Sequence, residues 1–92
     1  MKYNEVIIPP EGKLIQLVID IVHKYFKYPK PYYVVPGNGE IILEWKNGED
    51  IVALTLEADN DHSIFFRFGT DYPARLSNLD ELDFLLSQLY KL

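Results

Sequence analysis

Cysteine is absent from the 92-residue sequence, which excludes disulfides, thiolate zinc sites and cysteine nucleophiles. Histidine occurs only at His23 and His62, so a conventional Ser-His-Asp site would have to use one of these two. Arginine occurs only at Arg67 and Arg75, and the 9 basic residues are outnumbered by 14 acidic ones, leaving a net charge of −5. That balance keeps a small chain soluble and repels nucleic acid at long range, because duplex binding rests on neutralising phosphates with Lys and Arg. Long apolar runs are missing too. The longest, Leu14 to Val22, is interrupted by Gln16 and Asp20 and falls far short of the ~20 residues of a membrane span. Met1-Lys2-Tyr3 leads directly into Asn4 and Glu5 with no apolar secretory core, so a cytoplasmic location is expected.

What the chain does have is core material. Hydrophobic residues make up 48% of it and aromatics 14%, a composition that folds rather than staying disordered. The length fits one domain over residues 1–92, burying roughly 60–65% of the surface its unfolded form exposes. There are no repeats, low-complexity tracts or linkers.

The pattern reads as an α+β fold: an N-terminal helix, an antiparallel meander of three to four strands and a C-terminal helix, with both helices on one face of the sheet. The first helix is expected from Pro10 to Lys27, opened by Pro9-Pro10 and closed before Pro29. Lys13, Gln16, Asp20, His23, Lys24 and Lys27 form its polar stripe, with Asp20 and Lys24 placed for an i,i+4 ion pair. The remainder is apolar over an arc wider than the ~100° of an ordinary surface helix, so it must be covered on more than one side. Tyr32 to Val35, flanked by prolines, reads as an edge strand, and Pro36-Gly37-Asn38-Gly39 as a turn. Glu40–Lys46, Ile51–Asp59 and Ser63–Gly69 alternate, with a hairpin signal at Asn47-Gly48. Thr70–Leu76 reads as a polar loop. Ser77 with Asp80, or Asn78 with Glu81, resembles a capping box before a helix carrying Leu79, Leu82, Leu86 and Leu89 on one face.

Chemistry is sparse. Asp59-Asn60-Asp61-His62-Ser63 has the look of a calcium loop, but Ile64 stands where glycine is needed and Thr70 where the twelfth-position Glu belongs. A polar hairpin tip is the reading that survives. His23 lies on the helix's polar stripe without an evident nucleophile or orienting group. Glu40 and Glu44 share a strand face, as solvent-facing carboxylates do, with no pocket to separate their pKa values. Gly37-Asn38-Gly39 lacks the Lys-Ser/Thr and strand-to-helix context of a phosphate loop. No catalytic, metal or cofactor site is therefore expected.

Three surfaces remain. Ile42, Glu44, Ile51, Thr55, Phe65 and Arg67 are expected on the outward sheet face, where a contiguous apolar patch would mark an interface. Lys24, Lys27, Lys30 and Tyr32 lie in the one basic, aromatic stretch, the kind that binds single strands or phosphate by charge and stacking. Tyr32, Tyr33, Trp45 and His62 could border a groove for a small ligand.

The stretch Pro31–Gly69, with Gly39-Glu40-Ile41-Ile42-Leu43-Glu44-Trp45 at its centre, resembles a group of small uncharacterised bacterial α+β proteins. The resemblance spans about half the chain and implies architecture alone. The leading expectation is a protein-interaction module, acting as a homodimer or as an adaptor-, antitoxin- or immunity-like partner. Its contact residues would come from the outward sheet face and the first helix. A ligand-binding or enzymatic groove, and a weak nucleic-acid or phosphate contact, are the alternatives.

Overall fold

The computed structural model of the chain describes residues 6–57 and 61–91. Its centre is a hairpin of β2 (Ile41–Asn47) and β3 (Asp50–Leu56), paired antiparallel with Leu43 opposite Leu54 and Trp45 opposite Val52. Side chains alternate across a strand, so Ile41, Leu43, Trp45, Val52, Leu54 and Leu56 all fall on one face, and all are buried. The turn sits one residue later than the Asn47-Gly48 signal implies, because Asn47 still pairs with Asp50 and the two-residue loop is Gly48-Glu49. Gly48 has φ 64° while Glu49 does not enter the positive-φ region. This is the sign pattern of a type II′ turn, which wants glycine at its first central position.

One strand beside β2 and two beside β3 extend the hairpin to give the order β1-β2-β3-β4-β5, an unbroken antiparallel meander. β1 (Tyr32–Val34) is the expected edge strand, shortened by its flanking prolines, and pairs Tyr33 with Leu43. The connection to β2 carries Gly37 and Gly39 at φ 93° and 88°, and the Asn38 side-chain oxygen accepts the Glu40 N–H at 3.1 Å. β4 (His62–Arg67) pairs with β3, placing Ile64 opposite Leu54. β3 ends at Leu56 rather than running to Asp59, and the Glu57 N–H closes the hairpin on the Asp61 carbonyl at 2.8 Å. Ala58, Asp59 and Asn60 of the expected hairpin tip lie outside the described residues.

The fifth strand corrects the polar-loop reading of Thr70–Leu76. β5 (Ala74–Leu76) is the opposite edge and pairs Phe65 with Arg75. Three residues are too few for period-two alternation to stand out, and Pro73 masked the signal because proline is tolerated where an edge strand begins.

Both helices cover the apolar face. α1 (Gly12–Lys24) is shorter than expected at both ends. Pro10 pushes Pro9 out of the helical region, and extended Glu11 (φ −69°, ψ 153°) is the N-cap, so the prolines precede the helix instead of opening it. The chain leaves the helix at Tyr25 through the Tyr25–Lys27 turn ahead of Pro29. Asp20 accepts a hydrogen bond from Gln16 at 3.1 Å; the expected Asp20–Lys24 ion pair does not form. A 3₁₀ turn at Leu79–Glu81 leads into α2 (Leu82–Tyr90), whose Leu82, Leu85, Leu86 and Leu89 are buried. Of the two capping alternatives, Asn78 is the one used: its Oδ1 accepts the Asp80 N–H at 3.0 Å.

Polar ties lock the hairpin end to its surroundings. The Asn47 side-chain amide donates to the Leu89 carbonyl at 2.9 Å, the Tyr90 hydroxyl donates to the Lys46 carbonyl at 3.3 Å, and the Gly69 N–H donates to Asp50 Oδ1 at 2.6 Å. Tyr28 links the helices, its ring stacked on Tyr90 at 5.9 Å with its hydroxyl 3.5 Å from Asp83.

Asn78→Ala is expected to lower stability by about 0.5–2 kcal/mol in urea denaturation, while Ser77→Ala stays within about 0.5 kcal/mol. Equal losses would contradict the assignment of Asn78 as the cap.

Candidate functional site

α1 carries two apolar stripes. Leu14 and Ile21 point into the core with Leu17 and Val18 beside them. Ile15 and Ile19 point away and are 49% and 46% exposed, and Phe26, just beyond the helix, is 84% exposed. With half-buried Val22 these residues repeat at intervals of four, three and four, the spacing of a helix-pairing seam.

This outer stripe runs beside edge strand β1. Val18, Ile19, Val22, His23 and Tyr33 line one open groove of about 390 Å³. Val22 also borders a smaller cleft of about 70 Å³, floored by Trp45 and walled by Phe26, Pro29 and Pro31. Ile19 and Tyr33 on one groove and Phe26 on the other therefore border adjoining surfaces that share Val22. Ile8 lies past the end of β1, held by an Ile8 N–H to Gly37 carbonyl bond of 2.7 Å and a Gly39 N–H to Ile8 carbonyl bond of 2.8 Å.

The two sheet edges differ in chemistry. β5 carries Arg75 at its centre, the kind of charge that discourages another strand from adding. Nothing from Pro31 to Gly39 is charged, so among the described residues β1 presents its outer backbone with no such guard. Tyr32, Tyr33, Val34 and Val35 are all exposed there.

On the outward sheet face, Ile42, Glu44, Ile51, Thr55 and Phe65 are half-buried and Arg67 is exposed. Glu44 and Phe65 flank Ala53 in one cross-strand row, and the Arg75 guanidinium lies over the Phe65 ring at 5.8 Å. These contacts cover much of the apolar surface that alternation assigns to this face. Most of the larger exposed hydrophobes lie instead along α1, β1 and the segment before α1, with Tyr72 and Phe84 elsewhere.

The lysines are engaged locally. Lys24 lies over the Tyr25 ring at 5.5 Å, Lys27 lies over Tyr28 at 5.1 Å and ion-pairs with Asp83 at 3.7 Å, and Lys46 lies over Tyr32 at 5.8 Å. Lys30 borders the smaller cleft. Tyr25 and Tyr28 are buried, so their rings are core members with cationic lids rather than open stacking platforms.

Tyr32, Tyr33, Trp45 and His62 do not converge. Tyr32 shares the outward row with Glu44 while Tyr33 faces the helices with Leu43. His62 pairs with Leu56 at the Ile41 end of the sheet, two strands across from β2 and offset from Trp45 by four residues, about 13 Å along the strands. Among the described residues no group of three or more His, Asp or Glu side chains is placed to hold a metal ion, and no helix is long and apolar enough to cross a membrane.

The fold and this surface define an α+β protein with a five-stranded meander and an unguarded apolar edge. Comparison with family models, curated proteins and solved structures found no match.

Tyr90 is held off its ordinary value. Burial raises its pKa above 10, against the opposing effect of its bond to the Lys46 carbonyl. A raised phenol pKa stabilises the fold below pH 10, and that contribution is lost as pH rises through the higher folded value. Tyr90→Phe is expected to cost at most about 1 kcal/mol at neutral pH and to flatten the alkaline fall in thermal stability above pH 10. An unchanged alkaline limb would refute the coupling. Ile19→Ser is expected to alter the stability of the monomeric chain by less than about 0.5 kcal/mol, against a loss of about 2–5 kcal/mol for Ile21→Ala, in the same denaturation assay run at high dilution.

Proposed function

We propose that the protein is a protein-interaction module whose contact surface is the seam between α1 and β1. The observation that carries this reading is the set of exposed Ile19, Phe26 and Tyr33 around adjoining grooves that share Val22, beside a strand edge without charge. Large exposed apolar patches cost solubility, and a patch next to an unguarded edge offers a partner both apolar burial and backbone hydrogen bonds. The outward sheet residues Ile42, Ile51 and Phe65 would act as a secondary rim. The net charge of −5 and the locally engaged Lys24 and Lys27 favour a protein partner over nucleic acid.

A photoreactive phenylalanine analogue placed at Ile19 is expected to crosslink to protein, whether a second copy or another chain, when irradiated in cells. The same analogue at Tyr72, which is 96% exposed in the loop between β4 and β5, is expected to give little product. Equal yields at the two positions, or none at Ile19, would refute the reading.

A further inference from the structure

We infer that the occupant of this surface is a second copy of the same chain, joined by antiparallel pairing of β1 with β1 of the other copy about a two-fold axis. The inference rests on the interaction-surface reading above and adds the identity and geometry of the partner.

Symmetry narrows the register. A two-fold axis perpendicular to a sheet leaves each side chain on its own face, and side chains alternate along a strand. A residue can therefore face only a residue of equal parity, so one position must pair with its own copy. In the three-residue strand Tyr32–Val34 the central position is Tyr33, which sets Tyr33 opposite itself and Tyr32 opposite Val34 of the second copy. The two sheets would join as one of ten strands, with the guarded β5 edges outermost.

The same axis treats the helices consistently. Tyr33 and Val22 line one groove, so an axis through Tyr33 brings the outer stripes of the two α1 helices together antiparallel around Val22. That arrangement buries Ile19 and Phe26. The uncharged stretch Pro31–Gly39 lets two chains of net charge −5 approach edge to edge without placing like charges at the centre.

The area is sufficient. Phe26, Tyr32, Tyr33 and the exposed aliphatics of α1, β1 and the segment before α1 together present on the order of 800 Å² per chain, the share each partner gives to a standard-sized interface. An interface of that size holds at micromolar concentration or tighter.

Sedimentation equilibrium of the purified chain is expected to give twice the 10.7 kDa chain mass at concentrations up to about 100 μM. Ile19→Glu and Tyr33→Lys are each expected to weaken association at least tenfold while leaving the circular dichroism spectrum unchanged. Two substitutions on different elements guard against a fold defect in either one. Because the chain lacks cysteine, Tyr33→Cys reports the register directly. A self-paired position has Cα atoms about 4.5–5.5 Å apart, inside the disulfide range, so mild oxidation should crosslink Tyr33→Cys and spare Tyr72→Cys.

A chain that stays at 10.7 kDa throughout overturns the inference. If Ile19 then still photocrosslinks to a different protein, the interaction surface stands and only its self-pairing is lost. A dimer that persists in both Ile19→Glu and Tyr33→Lys, or crosslinks through Tyr72→Cys in place of Tyr33→Cys, overturns the proposed geometry. A monomer whose Tyr33 amide is protected from hydrogen exchange overturns it too, because the β1 edge is then covered within its own chain.

Discussion

The register of β2 against β3 governs everything else in the molecule. With Leu43 against Leu54 and Trp45 against Val52, the apolar members of both strands share one face. A slip of one residue would turn them all to the other side. The II′ turn at Gly48-Glu49 sets that register, and the bonds from Asn47 to Leu89 and from Tyr90 to the Lys46 carbonyl tie it to α2. Each outer strand then inherits its phase: Tyr33 from Leu43, Ile64 from Leu54, and Leu76 from Ile64. The helices pack where this leaves apolar surface.

That geometry also explains why α1 has more apolar surface than its fold consumes. α2 is short, and with four leucines buried it fits closely over the hairpin. α1 contributes Leu14 and Ile21 to the core and leaves Ile15 and Ile19 facing outward over the β1 edge. A small chain has little surplus stability to spend on exposed aliphatics. Their placement beside the uncharged edge and away from the Arg75 edge makes the two sheet edges chemically different.

Much of the fold was legible from local pattern. Alternation assigned the correct face to every apolar residue of β2, β3 and β4, and the leucine spacing of α2 marked its buried side. The unusual width of the apolar arc on α1 was visible as well. β5 was not, because it is only three residues long and its strand character comes from pairing with β4. The turn register shifted because Asn47-Gly48 and Gly48-Glu49 are both competent hairpin loops, and cross-strand packing chose between them. Among surface residues, Ile42 and Phe65 were expected to dominate. They are half-covered by cross-strand neighbours, a form of burial that depends on which strand lies alongside.

The amino-acid sequence by itself determined the class of structure. Periodicity and turn residues act over a few positions and need no tertiary context, and a chain without cysteine forms no disulfide. Only the tertiary structure decided which apolar residues stay in contact with water. Ile19 and Ile21 are alike in local sequence terms, two residues apart on one helix. The helix's rotation against the sheet buries one and leaves the other at the β1 edge, because exposure is a property of the assembled layers and not of the segment.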